Sequence, residues 1–372
     1  MGKICVGCSS GANDNKYNVD ASAIIPMHKL IKIYFLRFKY FVWFHTPEII
    51  WLKLSSPIRK YRESQYNEKL KSYGVLNPDK TFYIIRKRPP GYGFFANFNH
   101  VVAGLIYAKS KNFIPVVDME NYWMDEINSL QKINGTYNSW LYFFEQVSLF
   151  SLDEVYRSKN VVLSRGSQIL PNKHYINDKT IQYISSRSHL DELHEVFKEF
   201  VKLNFFASKY IDQKRKDLVW NPINTLGISV RGTGYKTGRA GNIRLPELNF
   251  IIQSIRDICL KKSYTNLYIM TEDFQLYKSL EKNLRGLTVI PSIRFDPGLS
   301  LDAWEKGQRV SADGTIRMGY TKTLDYLTEV FLLSECITTV CIPTNANLFM
   351  SLINYNLNQE RYIILTDKLV KI

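Results

Sequence analysis

Past residue 79 the chain alternates short apolar runs with longer segments whose apolar residues recur every three or four positions, the signature of strands and helices in turn. Residues 80–86 (Lys-Thr-Phe-Tyr-Ile-Ile-Arg) predict a strand, 89–97 a glycine-bearing turn, 100–109 a helix and 113–118 a second strand. Residues 139–205 predict mixed helices, with a long one over 190–205, and show no chemistry. From Thr225 the alternation is regular. Strands are expected over 226–231, 266–271, 287–291, 337–342 and 362–366. Helices are expected to open at Leu245-Pro246-Glu247 and to run over 274–284, 323–335 and 345–354. The pattern predicts an α/β fold of two Rossmann-like domains facing across a cleft, an N-terminal one over 80–221 and a C-terminal one over 222–372.

Residues 1–79 read differently, as a polar tail followed by a basic, aromatic arm. The tail lacks the basic start, apolar middle and small-residue cleavage site of a signal peptide, and Val6 stands where a myristoylation signal wants Ser or Thr. Over 27–54, Lys29, Lys32, Arg37 and Lys39 argue against a membrane span. On a helical wheel Leu30, Tyr34, Phe38 and Phe41 share one face and His28, Lys29, Lys32 and Lys39 another. Three readings stay open: a helix lying in an anionic membrane interface, a helix packed on the protein's own core, and a solvated basic arm.

Composition narrows the partner. The 372 residues carry 45% hydrophobic and 22% charged side chains, as a folded globular chain does, and a net charge of +15 that favours an anionic ligand. The basic residues are dispersed and no nucleic-acid motif is present, so nucleic acid is not an expected partner. Cysteines at 5, 8, 259, 336 and 341 form no regular framework, which fits a reducing, cytoplasmic compartment, and Cys5-Val-Gly-Cys8 has no second pair to complete a zinc site. Asn134-Gly135-Thr136 fits a glycosylation sequon.

The candidate chemistry centres on Gly227-Ile-Ser-Val-Arg-Gly-Thr233, a buried strand that delivers Arg231 to a glycine-bearing turn. Open α/β sheets bind ligands at the carboxyl ends of their strands, and the planar guanidinium fork suits a diphosphate. The turn at 89–97 precedes a helix N-terminus, where backbone N–H groups and the helix dipole can hold an anion.

Three segments read together carry a family resemblance: Gly91-Tyr-Gly-Phe-Phe-Ala-Asn-Phe-Asn-His100, Ser229-Val-Arg-Gly-Thr-Gly234, and Leu327-Thr-Glu-Val-Phe-Leu-Leu-Ser334 with Cys341-Ile-Pro-Thr-Asn345. In order and separation they resemble the motifs of the fucosyltransferase superfamily, which includes the α-1,6-, nodulation and protein O-fucosyltransferases, and also resemble bacterial surface-polysaccharide glycosyltransferases. The resemblance spans about residues 80–350 and implies a GT-B-like glycosyltransferase that moves a sugar from a GDP-linked donor to a glycan hydroxyl. It implies that Arg231 binds the donor diphosphate and is needed for activity, and that Gly93, Asn97 and His100 belong to the loop that reaches the reacting centre. It places Glu329 where an acid helps fix the nucleotide, Thr344 and Asn345 where small hydroxyl residues bond the diphosphate, and Thr271-Glu272-Asp273 at a strand end with two acids. Plain alternatives stand beside these: a packing His100, a solvated Glu329, a helix cap by Asp273.

The chain holds no Asp-x-Asp, the usual handle for a divalent ion, so a metal-independent, inverting reaction is expected, with no cofactor. Two departures from the family matter. Gly234 stands where the family has an aspartate, which keeps a catalytically silent, membrane-associated scaffold as an alternative, beside a basic nucleic-acid-binding protein. Tyr235 to Leu245 contains no carboxylate to serve as general base, which leaves Asp118 and Glu120, just beyond an N-domain strand, as candidates.

Overall fold

In the computed structural model, residues 67–87, 93–120, 132–164, 187–232, 245–294, 319–355, 359–365 and 368–371 are described. The arm at 27–54, the Cys5–Cys8 pair, Gly91 and Gly234 lie outside them.

The first sheet has the order β1-β4-β2-β3, made by β1 (Lys69–Lys71), β2 (Leu76–Arg86), β3 (Ile114–Asp118) and β4 (Ser158–Leu163). β2 pairs in parallel with both β3 and β4, and β1 closes the edge antiparallel to β4. β2 is buried on both faces: Tyr83 and Ile85 pack into the cluster under helix α1 (Phe94–Ser110), while Phe82 and Ile84 face Val116, Val155 and Val161. Two differences from expectation appear here. α1 begins at Phe94 rather than His100, because Phe95, Phe98, Val101, Val102 and Leu105 form one buried stripe that starts in the expected turn. β4 falls inside 139–205, read as wholly helical: its apolar run is only Val161-Val162-Leu163, and pairing on both sides makes it a strand. The sheet also begins at Lys69, inside the stretch read as tail and arm.

The short helix α2 (Leu152–Val155) leads into β4 and packs on the first sheet, and α3 (Arg187–Phe200) and α4 (Phe205–Asp217) follow β4 before the second sheet begins. The Asn134-Gly135 sequon is a tight turn, with φ of 52° and 77° and a bridge between Ile133 and Thr136.

The second sheet follows the order β10-β9-β8-β5-β6-β7. Its strands are β5 (Thr225–Ser229), β6 (Asn266–Met270), β7 (Thr288–Ile290), β8 (Thr338–Cys341), β9 (Glu360–Ile364) and β10 (Leu369–Lys371). All pairings are parallel except β9 with β10. Helices α5 (Leu248–Lys262) and α6 (Phe274–Asn283) connect β5, β6 and β7, and α7 (Gly319–Glu335) and α8 (Asn345–Ile353) flank β8. The chain winds outward from β5 to β7, then returns to place β8 on the other side of β5. That reversal is the switch point at which such sheets open a ligand crevice beyond their strand ends. Gly227 lets β5 lie close under α7, since a Cβ there would stand 2.7 Å from the Leu333 side chain.

The two halves share one core. Phe349 of α8 is fully buried and packs on Phe95 and Phe98 of α1, Phe197 of α3 and Phe331 of α7, at ring separations of 5.1, 4.5, 5.7 and 5.8 Å. Polar bonds add to it: Asn99 Nδ2 donates to Asn345 Oδ1 at 2.8 Å, and His194 Nδ1 stands 3.1 Å from the Leu352 carbonyl oxygen. Among the described residues, no helix is long and apolar enough to cross a membrane.

Candidate functional site

Every residue of β5 is buried, which carries the chain rigidly to Val230, whose N–H donates to the Met270 carbonyl at 3.0 Å. Arg231 then emerges half-exposed at the strand end, its Nε 3.4 Å from Oε1 of Glu272. Glu272 stands at the matching position beyond β6. Asp273, next to it, caps α6 by accepting from the Leu276 N–H at 3.0 Å, and its own N–H donates to Thr271 Oγ1 at 3.1 Å. The plain reading of Asp273 as a helix cap is therefore met. Gly232 packs directly on Asp273, and any Cβ there would overlap its side chain.

A second polar group lies one strand further on. Arg294, beyond β7, has its Nε 2.5 Å from Oε2 of the fully buried Glu329 on α7, and its guanidinium carbon is 4.0 Å from the ring centre of Tyr326. Ser292 Oγ donates to Glu329 Oε1 at 2.5 Å and the Tyr268 hydroxyl does so at 3.4 Å. Burial pushes the Glu329 carboxyl up, with Arg294 and Ser292 pulling against it. Glu329 is thus neither solvated nor turned to the crevice; it anchors an arginine. Tyr326 couples the two groups, because the charges of Arg294, Arg231 and Glu272 all act on its buried phenol.

The N-terminus of α8 completes the crevice. Thr344 caps it, donating to Asn347 Oδ1 at 2.7 Å, while Asn347 Nδ2 reaches back to Ser229 Oγ at 3.2 Å. Asn345 is exposed and bonded to Asn99 of α1. From the first half, Gly93 heads α1, and Asn97 Nδ2 donates to its carbonyl at 3.3 Å. Phe95 meets Tyr326 edge-on at 4.8 Å. His100 is buried with its Nε2–H donating to the Arg86 carbonyl at 2.9 Å, a packing role that locks α1 onto the end of β2. The end of β5 is therefore bonded to the first turn of α8, and the first turn of α8 to α1.

Asp118 and Glu120 belong to a separate cluster at the carboxyl edge of the first sheet. Asp118 accepts from the Tyr156 hydroxyl at 2.6 Å and from the Glu120 N–H at 3.0 Å. Beside them Lys87 is fully buried at the end of β2, and burial brings its ammonium down to about 7 against the pull of Asp118 and Glu120. Lys87, Ser292, Arg294 and Tyr326 were not singled out from sequence. Two signals were available: Arg294 stands just past a strand end, as Arg231 does, and Tyr326 shares a helix face with Glu329 three residues on. Among the described residues no three His, Cys, Asp or Glu side chains gather as a metal site.

No family model matches this chain, and no curated protein matches it. Solved structures similar to this chain include the NodZ α-1,6-fucosyltransferase co-crystallised with GDP, at TM-score 0.45 and 15% identity over 79% of this chain and 98% of that one. A mutant of Arabidopsis thaliana FUT1 in complex with GDP gives 0.40 and 8%, covering 78% and 71% of the two chains. POFUT1 in complex with GDP gives 0.35 and 9%, covering 78% and 76%.

Proposed function

We propose that this chain is an inverting, metal-independent glycosyltransferase that transfers fucose or a related sugar from a GDP-linked donor to a hydroxyl of a surface glycan. The observation that carries the reading is that β5, tied at Ser229 to Asn347 of α8, delivers a half-exposed Arg231 just past its end at the switch point of the second sheet, while Asn345 of α8 is bonded to Asn99 of α1. In this reading Arg231 and the first N–H groups of α8 face the donor diphosphate. The acceptor oxygen attacks the anomeric carbon as the bond to the diphosphate breaks. The electron pair leaves with the diphosphate, and the growing negative charge is met by a guanidinium already in place. The acceptor proton goes to a carboxylate at the edge of the first sheet, Asp118 or Glu120. Glu272 holds the Arg231 side chain, and Gly93 and Asn97 shape the start of α1 toward the reacting sugar. The arm at 27–54 would keep the enzyme at the cytoplasmic face of an anionic membrane, near its lipid-linked or growing acceptor.

The test is thermal unfolding of the native chain and of Arg231→Ala with GDP, UDP, CMP and their sugars, with and without chelator. A ligand present at 100 times its Kd raises stability by about 2.7 kcal/mol. The proposal requires stabilisation by one nucleotide class, insensitive to chelator and lost in Arg231→Ala. A folded native chain that responds to none of them refutes it.

A further inference from the structure

Arg231 and Arg294 offer different chemistry at one crevice. Arg231 is half-exposed, with the Glu272 carboxylate 3.4 Å from its Nε, so part of the guanidinium lies at the surface where a ligand can reach it. Arg294 has a side chain only 8% exposed and a carboxylate at 2.5 Å, so its charge is cancelled on the spot. What survives is direction. The Tyr326 face and the ionic contact with Glu329 hold the guanidinium, and its buried Nε and Nη2 and the Glu329 Oε2 are all left without a hydrogen bond of good geometry among the described residues. A buried, unmet N–H is costly unless a ligand completes it. Position separates the roles too. Arg231 follows β5, Glu272 follows β6 and Arg294 comes after β7, so two strand spacings, roughly 10 Å, divide the arginines across the sheet edge. With the diphosphate held at β5 and β8, the other end of a nucleotide lies toward β7.

We propose that Arg294 selects the nucleobase of the bound nucleotide, its Nη2–H donating to an exocyclic carbonyl oxygen, so that guanine or uracil is accepted and adenine is not. Glu329 and Tyr326 are positioning residues for that donor. The inference rests on the nucleotide-binding reading of the Arg231 site, and goes beyond it by assigning specificity to a pair that cannot attract an anion by charge.

Calorimetric titration with GDP, UDP, ADP and pyrophosphate tests it on the full chain. The native protein should bind its preferred oxo-base nucleotide about tenfold tighter than ADP, the worth of one hydrogen bond. Arg294→Met combined with Glu329→Gln removes both charges of the pair and leaves neither stranded; it should bring the three nucleotides within about threefold of each other and leave pyrophosphate binding unchanged. Arg294→Lys keeps the ion pair but lacks Nη2, and should lose the same discrimination if the double variant does not fold. Retained discrimination in a folded variant, or a parallel loss of pyrophosphate binding, overturns the assignment. A native chain that binds neither nucleotides nor pyrophosphate overturns the nucleotide-site reading itself, a result seen before any variant is made.

Discussion

Gly232→Ala isolates what holds Arg231 in place. A Cβ at residue 232 would overlap the Cβ, Cγ and Oδ2 atoms of Asp273, and Asp273 is itself fixed as the cap of α6 by its bond from the Leu276 N–H. Relief requires either that Asp273 swing off the helix end, at about 1 kcal/mol for the lost cap, or that the β5 turn move away, at about 1–3 kcal/mol for overpacking a close contact. We expect a loss of about 1–3 kcal/mol, read as a fall in the urea midpoint with an unchanged slope. The mechanism is checked by a double-mutant cycle. Asp273→Gly removes the Cβ, Cγ and Oδ2 atoms of the overlap and as a cap change costs only a few tenths of a kcal/mol alone, so Gly232→Ala added to it should cost almost nothing further. Additive penalties, within about 0.5 kcal/mol, would refute a steric cause. Gly93→Ala is the control: nothing lies within 4 Å of a Cβ there, so stability should hold, and any activity lost would report the approach of a ligand.

Phe349→Ala should cost about 3–5 kcal/mol, because the ring packs on four rings from three other helices and is fully buried, and denaturant melts should show both halves losing cooperativity. Lys87 gives stability an unusual slope. Its folded ammonium titrates near 7 and its unfolded one near 10.5, so between those values the unfolded chain binds more protons and stability rises with pH; Lys87→Met should flatten that rise. Glu360, held down to about 2 by Lys262 and Lys371, acts in the opposite range. Its contribution is full above the unfolded carboxylate value and fades as pH falls from about 5 toward 2, so Glu360→Gln should flatten acid unfolding there. For the base, both Asp118 oxygens already accept hydrogen bonds while Glu120 is exposed, so Glu120→Gln should lower kcat by about 100-fold or more and Asp118→Asn by less. The reverse order, in pH–rate profiles of folded variants, would assign the base to Asp118.

The second half was readable because each parallel strand announces itself twice: Leu226 and Ile228 or Leu267 and Ile269 form a short apolar run, and the following helix then shows its own periodicity, as Ile251, Ile255 and Ile258 do. Strands that lean on tertiary pairing gave no such signal. Ser158–Leu163 has three apolar residues between polar neighbours, and Leu369–Lys371 and Lys69–Lys71 are edge strands of three residues whose sides are partly wet. The start of α1 was misplaced by six residues because Gly91 and Gly93 suggested a longer turn, whereas the buried Phe95 and Phe98 extend the helix back to Gly93.

The site divides along the same line. Arg231 was legible because strand, arginine and glycine are contiguous in sequence, and a strand end in an α/β sheet has a known place. Glu329 was legible as an acid on a helix but not in its use, since its partner Arg294 is 35 residues earlier and only the fold turns β7 and α7 toward each other. That long-range pairing changes the chemistry expected of the crevice. A carboxylate left open near the proposed diphosphate would repel it; paired with Arg294, with Ser292 and Tyr268 bonded to its other oxygen, it adds little net field, and the Arg231–Glu272 pair sets the local charge at the strand end. On the proposed reading affinity depends on Arg231 and selectivity on Arg294, so a variant of either should move one property while sparing the other.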